Sequence, residues 1–97
     1  MICIEYRTGK EKLLLVSGHA HYAEPGKDIV CAGISALYCA LRMTEGVEEA
    51  LDAQARCLKP GKGAGEHTDA VFDAMARGMR DIARKYPGHA QYREALG

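Results

Sequence analysis

A histidine and a cysteine stand at opposite ends of one short polar loop. Gly18-His19-Ala20 leads into it, and Gly26-Lys27-Asp28-Ile29-Val30-Cys31-Ala32-Gly33-Ile34-Ser35 leads out. An imidazole that takes the proton of a thiol creates a nucleophile able to attack a carbonyl carbon. A strand is expected to end at His19 and a helix to begin near Asp28. The eight residues from Ala20 to Lys27 are enough to fold the base back onto the sulfur.

With Asp28 as N-cap, Cys31 falls at the third helical position, where unsatisfied N–H groups and the helix dipole favour an anion. An ordinary thiol, with a pKa of about 8.5, is only a few per cent ionised at neutral pH. The dipole contributes roughly 0.3–1 kcal/mol at an exposed site, and the Asp28 carboxylate opposes it, so the larger contribution has to come from His19. Asp28 has two competing roles, capping the helix or fixing the His19 tautomer, and capping is the commoner use of Asp before a helical run. Ser35, one turn beyond Cys31, can hydrogen-bond the sulfur, a substrate or its own helix backbone. Gly33 costs about 1 kcal/mol inside a helix relative to Ala. Close approach of substrate or of another backbone would justify it, and so would tight packing against the sheet. Backbone N–H groups at the helix start are the natural donors to an oxyanion.

Residue chemistry alone makes a lone cysteine on an apolar helix more often a small buried hydrophobe than a nucleophile. Cys3, Cys39 and Cys57 take that structural reading, and His21 reads as a solvated loop residue. His19-x-His21 with Cys31 would offer three metal ligands but lacks the paired spacing of zinc sites, so no metal is expected.

The elements that must position these groups follow from periodicity. Residues 2–7 alternate as a half-buried strand, Thr8-Gly9-Lys10-Glu11 makes a turn, and Leu13–Ser17 returns as the second strand of a hairpin. Ala20–Lys27 is a loop, with turn chemistry at Glu24-Pro25-Gly26. Val30, Ile34, Leu37 and Leu41 form the buried stripe of a helix running to about Met43 or Thr44, with Gly46 beyond its end. Val47–Ala53 is helix-prone, Ala55–Leu58 has the pattern of a strand, and Lys59-Pro60-Gly61 suits a tight turn. Residues 62–66 read as loop or a poor edge strand. Thr68 or Asp69 then caps a second helix carrying Phe72, Met75, Met79, Ile82 and Tyr86, which Pro87-Gly88 ends. The tail, 89–97, has too few β-branched residues to be assigned as a strand. The expected fold is α+β, a two-layer sandwich of a mainly antiparallel sheet with two amphipathic helices on one face, and residues 1–97 make a single domain.

The chain has 97 residues, with thirteen basic and thirteen acidic side chains in balance. That balance, with no basic block, argues against a direct grip on nucleic acid. No signal-peptide layout or membrane-length apolar run occurs, and four cysteines without a Cys-x-x-Cys pair suit reduced thiols in a cytoplasm.

The stretch from Gly18 to Ser35 resembles the ribosomal-processing cysteine protease family, Prp. Its members carry Gly-His-Ala, a short loop, then Gly-x-Asp-Ile-Val-Cys-Ala and a serine four residues after the cysteine. The resemblance implies Cys31 as nucleophile and His19 as base, with Asp28 and Ser35 in support and Gly18, Ala20 and Gly26 in a substrate loop. It further implies a cytoplasmic homodimer without cofactor that removes the N-terminal extension of a large-subunit ribosomal protein precursor. The layout departs from the family at 54–66, where two clearer strands are usual, and at 91–97, where a β-branched strand is often seen. Two other readings keep the fold: a non-catalytic protein-interaction domain, and a redox-sensing thiol at Cys31. The loop 20–27 is expected to move without substrate, which allows a resting structure to hold His19 and Cys31 too far apart for a hydrogen bond.

Overall fold

A computed structural model describes residues 1–24, 27–51 and 55–96. The elements run β1 (Ile2–Thr8), β2 (Leu13–Ser17), α1 (Ile29–Arg42), β3 (Val47–Leu51), β4 (Arg56–Pro60), α2 (Glu66–Lys85) and β5 (Ala90–Leu96). One sheet, ordered β3-β4-β2-β1-β5, is antiparallel except where β5 lies parallel to β1. Two long connections set its layers: α1 carries the chain from β2 past β4 to β3, and α2 carries it from β4 past β2 and β1 to β5. These strands run in opposite directions and the crossovers step in opposite directions. Right-handed crossovers of that kind put both helices on the same face, giving the two-layer α+β sandwich.

The core lies between the layers. Ile2, Ile4 and Tyr6 of β1, with Leu14 and Leu58 beside them, meet Val30, Ile34, Tyr38 and Leu41 of α1 and Phe72, Ala76 and Met79 of α2. Tyr38, 2% exposed, takes the place expected for Leu37. Leu37 faces α2 instead. A Cβ on Gly78 would stand 2.9 Å from Leu37 Cδ1, and a Cβ on Gly33 would stand 3.0 Å from Ile82 Cδ1. Each helix thus gives the other a glycine seat for a branched side chain. Gly33 is explained by the neighbouring helix rather than by the sheet.

Four local expectations are corrected. Val47–Leu51 is a strand despite the helix propensity of Glu48, Glu49 and Ala50, because it pairs along β4 from Val47↔Pro60 to Leu51↔Arg56. Asp52, Ala53 and Gln54 lie outside the described residues. β4 runs on through Lys59 and Pro60, where a turn was expected. Proline is tolerated there because the β2 pairing of β4 spans only Arg56 to Leu58, which leaves Pro60 beyond it. The second helix starts at Glu66, with Gly65 as its N-cap. Thr68 sits one turn inside, accepting from the Gly65 N–H at 3.3 Å and donating to the Glu45 carbonyl at 3.2 Å. The tail is a strand, in register with β1 from Ile2↔Ala90 to Thr8↔Leu96, so long-range pairing supplies what its residue types lack.

Replacing Gly78 by Leu should displace Leu37 from its seat. Overpacking of this kind is expected to cost about 1–3 kcal/mol net and lower Tm by roughly 5–20 °C in a thermal melt. An unchanged Tm would mean that the helices do not meet through that glycine.

Candidate active site

Beyond β2 the chain must reverse sharply without striking the start of β1. Gly18 does this at a φ of +81°, and a Cβ there would lie 2.2 Å from the Met1 carbonyl oxygen. Three residues on, His21 is also left-handed, at a φ of +52°. Between these two, His19 is exposed while Ala20 is tucked in at 2% exposure. The Ala20 carbonyl oxygen lies 3.0 Å from His89 Nδ1.

The start of α1 is fixed by Asp28. Its Oδ1 accepts from the Val30 N–H at 3.0 Å and the Cys31 N–H at 2.9 Å, and its Oδ2 accepts from the Tyr22 N–H at 3.0 Å. The Cys31 amide is the main reason that this carboxyl is held below its ordinary value. Of the two roles open to Asp28, the geometry shows the cap, and among the described residues no hydrogen bond joins it to His19. The Val30 and Cys31 amides expected as oxyanion donors are therefore already engaged.

Cys31 is half-buried at the third helical position, and the Ala20 N–H points at its sulfur at 3.4 Å. Cys31 and His19 line one open cleft of about 390 Å³, together with Gly18 and Ser35. No hydrogen bond links His19 to Cys31 among the described residues, the separation allowed for a resting state. Ser35 is exposed at the cleft rim, and among the described residues its hydroxyl bonds neither the sulfur nor its own helix, which leaves it open to a bound molecule. Gly26 lies outside the described residues. The His21 ring meets that of His19 edge-on at 5.9 Å, and among the described residues no group of three ligating side chains is placed to hold a metal.

The cleft floor contains residues that the sequence did not single out. Ile2, Val16, Ile34 and Tyr38 make it apolar, and the Arg56 guanidinium stands over the Tyr38 ring at 5.6 Å. The Tyr38 hydroxyl donates to Glu49 at 2.6 Å, and burial with that carboxylate pushes the phenol well up. Arg56 occupies an inward position of β4, opposite Val16, which only the strand register reveals. An open cleft with a mixed polar and apolar lining, one cation and a thiol at its edge suits an extended peptide.

Comparison with known proteins agrees with this chemistry. The family model described as cysteine protease Prp matches residues 1–94. No curated protein matches the chain significantly. Among solved structures, the essential ribosomal processing protease Prp from S. aureus with a covalently linked product peptide superposes at a TM-score of 0.83. It is 19% identical, and the match covers 98% of this chain and 100% of that one. The same protease with a substrate peptide gives 0.76 at 18% identity, covering 98% and 100%. SMU.848 from Streptococcus mutans gives 0.76 at 21% identity, covering 100% and 96%. At these identities the structural likeness is one of fold.

A carboxyl held low in the folded state stabilises fully above its unfolded value and loses that contribution as pH falls through the folded one. Near neutrality wild type should therefore melt above Asp28→Asn, and the difference in Tm should shrink on acidification below about pH 4. Glu5 and Asp73, also held low, are common to both proteins and cancel in the difference. A difference in Tm that stays constant down to about pH 2.5 would show that Asp28 does not act as a charged cap.

Proposed function

The chain belongs to the cysteine protease Prp family, and we propose that it removes the N-terminal extension of a large-subunit ribosomal protein precursor, with Cys31 as nucleophile and His19 as its base. The observation that carries this reading is the Cys31 sulfur at the cleft edge, contacted by the Ala20 N–H, in the same cleft that His19 lines. Relatives of the same fold hold a substrate peptide or a covalently linked product peptide.

His19 takes the thiol proton, and the thiolate attacks the scissile carbonyl to form a tetrahedral oxyanion. Collapse breaks the C–N bond, leaves an acyl group on Cys31 and sends the proton from His19 to the departing amine. Water, deprotonated by His19, then hydrolyses the thioester and restores the thiol. The Ala20 N–H, which meets the sulfur in the resting state, turns to the oxyanion as the sulfur bonds the carbonyl carbon. Ser35 offers a hydroxyl to the peptide, and Gly18, Ala20 and Gly26 belong to the loop that meets the substrate. No step calls for a cofactor. The sheet face free of helices, with Leu13 and Leu15 half-buried on it, favours the homodimer, and thiols without disulfide links suit the cytoplasm.

Incubating the extended ribosomal precursor from the same genome with wild type should remove its N-terminal segment, read by mass. Cys31→Ser should abolish removal, and His19→Ala should slow it about 10²–10⁴-fold. Iodoacetamide should label Cys31 faster than Cys3, Cys39 and Cys57, and this preference should fade in His19→Ala. Four equal labelling rates, with an intact precursor, would favour a domain that only binds.

A further inference from the structure

We propose that His89 is a positioning residue for this reaction. It pins the Ala20 backbone so that the Ala20 N–H meets the Cys31 sulfur while the adjoining His19 faces the cleft. The proposal rests on the protease reading of the same site. A carbonyl oxygen only accepts hydrogen bonds, so the 3.0 Å contact between His89 Nδ1 and Ala20 requires the proton on Nδ1. The other polar group of Ala20, its N–H, goes to Cys31 Sγ at 3.4 Å. Ala20 is thus bonded at both backbone groups and buried at its methyl, with His19 before it and left-handed His21 after it.

His89 is itself held from several sides. Its N–H donates to the Tyr86 carbonyl at 2.9 Å, and its own carbonyl receives the Ile2 N–H at 3.0 Å. The Tyr22 ring packs edge-on against the imidazole at 5.1 Å and against Tyr86 at 5.3 Å. The end of α2 and the start of β5 therefore present one N–H donor, from a fixed direction, to the turn beside the candidate base. Nothing in the motif from Gly18 to Ser35 reports this contact, because its partner lies 69 positions further along the chain.

Asparagine carries its amide N–H₂ about where Nδ1 stands, whereas glutamine carries it about where Nε2 stands. Both replacements remove the ring packed against Tyr22, so a merely structural role predicts that His89→Asn and His89→Gln behave alike. The positioning role predicts that His89→Asn keeps kcat for precursor processing within about twofold of wild type, while His89→Gln and His89→Ala lose on the order of tenfold at little cost in KM. The rate of Cys31 alkylation relative to the exposed Cys3, which needs no substrate, should drop about threefold in the same two variants and hold in His89→Asn. Equal behaviour of Asn and Gln variants in both measurements would overturn the proposal and leave the protease reading standing. An alkylation ratio lowered in His89→Gln and His89→Ala but kept in His89→Asn, with no processing even by wild type, would uphold the positioning and overturn the protease reading.

Discussion

The carboxylate of Asp28 is the constraint around which the site is arranged. A helix start leaves its first N–H groups without partners, and one oxygen of Asp28 takes two of them, those of Val30 and Cys31. Its other oxygen takes the N–H of Tyr22, so the chain leaving the histidine turn is tied to the helix carrying the thiol. The loop between them therefore has both ends fixed by a single side chain. The negative charge this places near Cys31 works against a thiolate, and the dipole of α1 and the Ala20 N–H act in the opposite sense.

Much of this was legible in the sequence, for local reasons. The alternation in residues 2–7, the run Leu13–Ser17 and the stripe through Val30, Ile34 and Leu41 are periodic signals, and each gave its element. Asp28 was readable as a cap because capping is a contact between residues close in sequence. What escaped is non-local. Glu48, Glu49 and Ala50 favour a helix in isolation and become an edge strand only because β4 lies beside them. The tail escaped because its partner is the first strand. Arg56 and Tyr38 share a cleft floor through strand register and helix rotation together, and neither can be taken from spacing.

The late strand shows which force holds such a segment. Glu5, 8% exposed on the helix-free face, accepts from Arg93 of β5 and from Arg7, and the Arg93 hydrogen bond is the main cause holding its carboxyl low. The Arg93 side chain is 77% exposed, and a pair so open to water contributes only about 0–1 kcal/mol. The ladder to β1, unbroken from Ala90 to Leu96, and the burial of Ala90 in the core must therefore supply most of the docking energy, with the ion pair fixing register.

The parallel pairing of β5 with β1 has a consequence for the order in which the molecule assembles. The hairpin of β1 and β2 is a local structure that can form early, and α1 follows it directly in sequence. The turn between them, however, leans on Met1 from below and on His89 from the side, and these two supports are neighbours in the fold although they stand near opposite ends of the sequence. Contacts of such long sequence separation close last, because loop entropy must be overcome before they form. A chain emerging from synthesis thus carries its thiol and imidazole long before it can hold them in place. Docking of β5 beside β1 is the step that brings His89 to the turn bearing His19.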